Sequence, residues 1–128
     1  MNQLNVFGQT LLPCCFDPLT GFFRDGFCNT NQQDSGTHII CALMTDSFLT
    51  FSRDRGNDLI TPVPEFNFPG LVNGDYWCIC VRRWIEAYEN QMAPRKKLAS
   101  TNKIALDYVD LEVLKKFAID VNLSLIHI

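Results

Sequence analysis

The chain predicts an α+β fold: a single compact domain with a small mixed β-sheet packed by about three helices and joined by long, ordered, turn-rich loops. Three observations carry this. His38 to Met44 is apolar on both alternating faces, as in a strand buried in mid-sheet. Asn73-Gly74 is a turn signal feeding a second apolar run, Tyr76 to Cys80. Beyond it, Val81, Trp84, Ile85, Tyr88 and Met92 recur on one helical face, with Arg82, Arg83, Glu86 and Glu89 on the other. At 128 residues the chain is the size of one domain and long enough to bury a core without staples.

The elements follow in order. Leu4 to Leu12 alternates weakly and is broken by Gly8, which suits an edge strand or a packed arm. Pro13 to Gly36 holds no period but is dense in turn dipeptides: Asp17-Pro18, Thr20-Gly21, Asp25-Gly26 and Ser35-Gly36. Phe16, Phe22, Phe23 and Phe27 anchor this long loop to the core. After the first strand, Thr45 is a helix N-cap with Asp46 in the first turn, where a carboxylate suits the dipole. Met44, Phe48 and Phe51 keep helical spacing and Gly56 supplies the C-terminal stop, so a helix is expected from Asp46 to about Arg55.

Pro62, Pro64 and Pro69 stiffen an irregular stretch from Asn57 to Gly74. The helix after Cys80 ends by Pro94. Lys96 to Ala99 reads as a short edge strand guarded by lysine, and the basic cluster Arg95-Lys96-Lys97 as a solvated edge. Asn102 to Tyr108 is a helical turn or short helix. Asp110 caps a last helix that turns Leu111, Leu114, Phe117 and Ala118 inward. The final six residues, L-S-L-I-H-I, match one reading frame of the transposon mosaic-end adapter used in sequencing libraries. Residues 123–128 are therefore read as a non-native tail, residues 1–122 as the domain, and the natural chain is expected to run on differently after Asn122.

Composition excludes some functions. A net charge of −3 and a pI near 5.2 offer no basic face for phosphates, so no nucleic-acid partner is expected. No apolar run approaches the roughly 20 residues that span a bilayer, so no membrane partner is expected either. The opening M-N-Q-L-N-V-F-G lacks the basic start and apolar stretch of a signal peptide, which points to the cytoplasm. In a reducing cytosol the six cysteines are expected as thiols or as a metal site.

Cys78 and Cys80 share a strand face, and if the two strands are neighbours Cys41 can meet them with Cys14 or Cys28 closing over. Zinc or iron held by Cys14, Cys28, Cys41, Cys78 and Cys80 is thus one reading, but no knuckle of C-x(2–4)-C type exists. Buried reduced cysteines packed as small apolar residues fit the irregular spacing better. On an unbroken strand His38 and Cys41 face opposite ways, so no dyad is expected within H-I-I-C; His38 could instead activate Cys28 or Cys14 across space.

Arg24 has the forked geometry to clamp a carboxylate or phosphate. Asp25, Asp34, Asp58 and Asp75 could exchange protons if burial raised a pKa, although Asp25-Gly26 and Asn57-Asp58 also suit turns and caps. Glycines form no phosphate-cradling loop. The density of such residues between Leu12 and Cys80 predicts a small-ligand or substrate pocket formed by Arg24, Asp25, Cys28, His38 and Asp58, in a binding protein or an enzyme. A thiolate metal protein and a non-catalytic interaction module, with the turn-rich loop as its partner surface, are the alternatives.

D-P-L-T-G-F-F-R-D-G-F-C-N-T, H-I-I-C-A, G-N-D-L-I-T-P-V-P-E-F, F-P-G-L and G-D-Y-W-C-I-C-V-R-R-W-I-E-A together resemble domain-of-unknown-function family 2237, small and mainly bacterial proteins without an established activity. The similarity spans about Asn5 to Asp120 and implies a single-domain cytosolic protein, with no reaction, cofactor or substrate attached. Cys14, Cys28, Cys41, Cys78 and Cys80 fall where that family usually has Cys, and Cys15 is an extra. Thr101-Asn102 stands where the family often has Thr-His. Arg95-Lys96-Lys97 replaces the apolar strand expected after Pro94.

Overall fold

Two strands form the sheet, β1 (His38–Leu43) and β2 (Tyr76–Cys80), paired antiparallel, in a computed structural model that describes residues 3–121. The chain is α+β as expected: α2 (Val81–Glu89) packs on both strands, α1 (Asp46–Asp54) packs against α2, and α3 (Leu111–Lys116) sends Leu114 into the same core. The tail read as non-native, 123–128, lies outside the described residues. Among those residues no helix is long and apolar enough to cross a membrane.

The sheet is widened by single bridges rather than full strands. Ala42 bridges Lys96 antiparallel and Lys96 bridges Ala118 in parallel, so the predicted edge strand is reduced to one paired residue followed by a 3-10 turn, Leu98–Ser100. The N-terminal arm bridges Leu4 to Thr10 and Asn5 to Asn102. Asn102, buried, donates from Nδ2 to Gln3 Oε1 and to Cys28 O, and accepts from Ile104 N at the start of the 3-10 turn Lys103–Asp107. Its place is therefore a structural cap.

α1 starts where Thr45 Oγ1 accepts from Phe48 N, and α2 leaves β2 directly with Cys80 as its N-cap residue. The core lies between α2 and the sheet. Trp84 is fully buried, stacks on Tyr88, meets Phe117 edge-on, and donates Nε1–H to Pro94 O. Full burial of such a ring contributes about 3 kcal/mol by area.

Two sequence expectations are corrected here. Arg95-Lys96-Lys97 is not a solvated edge: Lys96 is wholly buried, its Nζ donating to Leu114 O at 2.9 Å and lying 4.2 Å from the centre of the Trp84 ring. Lys96 is held between Ala42 of β1 and Ala118 by single bridges, which puts it inside the packing rather than at an edge. The second correction concerns His38. The register pairs Cys41 with Cys78 but slips between His38 and Ile40, so that His38 stands opposite Cys80. The extra residue turns His38 to the face that unbroken alternation would deny it.

Candidate functional site

The turn-rich loop is bolted to the sheet. Cys41 and Cys78 are register partners on adjacent strands, yet each bonds outward to the loop: Cys14–Cys41 and Cys28–Cys78 are disulfides. This corrects the expectation of separately packed, reduced thiols. The sulfurs of Cys14, Cys28 and Cys78 converge within 4.8 Å of one another, but as disulfide sulfurs they present no thiolate to zinc or iron. Thr20 Oγ1 accepts from Cys78 N and Thr101 Oγ1 from Cys41 N, tying the same place by hydrogen bonds. The free cysteines are Cys15 and Cys80, both half-buried.

Held this way, the loop walls a cavity of about 320 Å³ at the end of the sheet where His38 faces Cys80. Gly21, Phe22 and Arg24 form one wall, Asn57 to Leu59 with Phe66 and Phe68 another, and Trp77, Ile79 and Cys80 the floor. Gly21 has φ of +101°, and a Cβ there would lie 2.3 Å from Phe27 O, so the wall requires glycine at the bend.

The five residues expected to share a pocket divide. Arg24, His38 and Asp58 line this cavity. Asp25 sits elsewhere, bonded to Phe27 N and Asn29 Nδ2, and Cys28 is fully buried in its disulfide.

Each lining residue has a distinct state. Arg24 is held at φ of +53° with its guanidinium 4.9 Å above the Trp77 ring, and it meets no carboxylate among the described residues. Loss of hydration lowers its pKa from the ordinary arginine value, and it remains a cation. Asp58 is spent on its own loop: Oδ1 accepts from Ile60 N and Thr61 N, Oδ2 from Thr61 Oγ1. Those bonds, the Thr61 hydroxyl first, hold its pKa below the usual range and keep it ionised. It shapes the wall and has no proton to give.

His38 is positioned by Asp34. Nδ1 lies 2.7 Å from Asp34 Oδ1, and the Asp34 side chain is fully enclosed. Burial pushes the Asp34 pKa up, but bonds from His38 N, the His38 ring and Thr30 Oγ1 outweigh it, so the carboxylate stays ionised below the usual range. An ionised carboxylate only accepts, so Nδ1 carries the proton and Nε2 is the free basic nitrogen.

Gly36 leaves room for the ring, since a Cβ there would lie 2.5 Å from His38 Cε1. Gly36→Ala is therefore expected to swing the imidazole off Asp34. Two-dimensional imidazole NMR reads this as loss of the fixed Nδ1–H tautomer, with the melting temperature lowered by only a few degrees; an unchanged tautomer would show that the ring does not depend on this glycine.

Asp34 and Cys80, which stand beside and opposite His38, lie outside the five-residue expectation. Asp34 precedes His38 by four residues in a turn-rich run, and Cys80 pairs with His38 only through the slipped register. The first was visible as a carboxylate beside the strand entrance, whereas the second needed the bulge. The family described as "Uncharacterized protein conserved in bacteria (DUF2237)" matches residues 4–118, and no curated protein matches the chain. That span holds both strands, both disulfides and every residue of the cavity wall, and the chain belongs to the DUF2237 family.

Proposed function

We propose that this protein binds a small organic anion, bearing a carboxylate or a phosphate group, in the cavity between the 21–24 loop and the 57–68 segment. The observation that carries the reading is Arg24: a cation without a carboxylate partner among the described residues, set in a left-handed backbone over Trp77 in a cavity whose other polar lining is His38, Asn57 and an Asp58 already engaged by its own loop. A non-glycine residue in that conformation costs on the order of 1 kcal/mol and persists where its surroundings enforce it. The volume suits a ligand of metabolite size. Trp77, Phe66 and Phe68 supply the apolar wall and Arg24 the forked donor that reads an oxyanion.

The reading sets the protein in the cytosol, where Cys80 stays reduced. Burial of the two disulfides keeps their sulfurs away from exchange with small thiols.

The test is a calorimetric screen of mono- and dicarboxylates and phosphate monoesters against the wild type and Arg24→Ala. Any anion that binds the wild type should lose at least tenfold in Kd with Arg24→Ala, about 1.4 kcal/mol. Arg24→Lys keeps the charge but loses the fork, so it should fall between the two. Equal affinity in wild type and Arg24→Ala would remove the basis of the proposal.

A further inference from the structure

We propose that Cys80 is a catalytic nucleophile, activated by His38 and positioned through Asp34, and that it cleaves acyl esters or thioesters carrying an anionic group. This rests on the anion-binding reading of the same cavity. Cys80 and His38 are register partners across the strands, and both line the cavity. In a regular antiparallel pair directly opposite residues hold their Cβ atoms about 4.5–5.5 Å apart, and His38 and Cys80 face each other just past the bulge, with no hydrogen bond between their side chains in this structure. The base is already set: Asp34 fixes the Nδ1 proton and leaves Nε2 to accept one. Cys80 is also the N-cap residue of the nine-residue α2. Among the described residues neither Cys80 Sγ nor His38 Nε2 makes a hydrogen bond, and both remain available.

The chemistry closes with water as co-reactant. Nε2 takes the Sγ proton as sulfur bonds to the acyl carbon. The leaving alkoxide or thiolate departs with that proton, leaving an acyl group on Cys80. Water then loses a proton to Nε2 and attacks the acyl carbon. The carbon–sulfur bond breaks, a carboxylic acid leaves, and the thiol regains its proton. Arg24 holds the distal anion of the acyl group or of the leaving group throughout.

The experiment uses the full chain with mono-p-nitrophenyl succinate as an anionic probe and p-nitrophenyl acetate as a neutral one. The wild type should release nitrophenolate in a burst and carry a succinyl group on Cys80 by peptide mapping, with Cys15 unlabelled as internal reference. Cys80→Ser should lower release at least a hundredfold. It should keep the fold, because serine is a good N-cap residue and the cysteine side chain makes no capping bond.

Asp34→Asn can keep the bonds from Thr30 and His38 N while its amide faces Nδ1, which forces the proton onto Nε2. It should lower kcat at least tenfold with KM and melting temperature nearly unchanged. Release that persists in Cys80→Ser, or an adduct on Cys15 in place of Cys80, would overturn the assignment. Arg24 is read separately, from the succinyl-over-acetyl preference. Labelling of Cys80 with a preference that Arg24→Ala leaves unchanged supports the nucleophile and sinks the anion reading. A preference lost in Arg24→Ala while Cys80→Ser still turns over does the reverse.

Discussion

Replacing Cys28 and Cys78 together by alanine should lower the melting temperature by about 15 °C. The two cysteines are separated by 50 residues, and closing a loop of that length removes about 4 kcal/mol of denatured-state entropy on the chain-entropy account. Near this chain length each kcal/mol moves the midpoint by about 4 °C. Cys14 and Cys41 are separated by 27 residues, for which the same account gives about 3.5 kcal/mol. The two links interleave along the chain, so the second constrains an unfolded ensemble already shortened by the first, and the pair should sum to less than its parts.

Scanning calorimetry of the wild type and the two double-alanine variants measures this. A shift below about 3 °C for Cys28/Cys78 would mean that the link does not constrain the unfolded chain. The effect should also reach the cavity, because Gly21, Phe22 and Arg24 lie on the loop that the two disulfides hold to the sheet. Anion affinity in the Cys28/Cys78 variant is therefore expected to fall even at temperatures where it stays folded.

How much of this was legible in the sequence depends on how local each cause is. β2 matches its expected bounds because a turn dipeptide marks its start and an amphipathic helix its end, both within ten residues. α1 begins where Thr45 predicts it, since a cap is a bond between neighbours. Arg24 and His38 were singled out by residue type and by turn density, and both line the cavity. The bulge at Ile39 was not, because nothing inside H-I-I-C marks it; the register is set by where the chain must meet both Cys78 and Cys80 on β2. With it went the His38–Cys80 pairing at the end of the sheet. The disulfides were missed for a related reason. Sequence separations of 27 and 50 leave no local trace, and the expected reducing compartment argued against any pairing. Lys96 misled in the opposite direction, since a run of three cations is usually solvated and only tertiary packing shows that its middle member faces Trp84.

Lys96→Met should stabilise the protein at pH 6 and abolish a rise in stability that the wild type shows between pH 7 and pH 10. Burial of the amine lowers its pKa from 10.5 to about 7, against a smaller upward pull from Asp120. In that window the unfolded chain keeps the proton and the folded chain releases it, so stability climbs with pH. Below about pH 7 both states are charged, and the folded state carries the whole cost of an enclosed ammonium. A displacement of this size sets an upper figure of about 5 kcal/mol. Trp84, 4.2 Å away, and Phe117, 5.4 Å away, return part of it, because their ring faces favour the ammonium by up to about 2 kcal/mol. A net gain of about 2–3 kcal/mol at pH 6 follows for methionine. It fills the place of the lysine stem, and Leu114 O still accepts from Phe117 N after the amine is gone. Urea titrations of both proteins at intervals from pH 6 to pH 10 test this, and the difference between the curves cancels every other titrating group. Parallel curves would mean that Lys96 keeps its proton throughout, with the aromatic rings and Asp120 fully offsetting its burial.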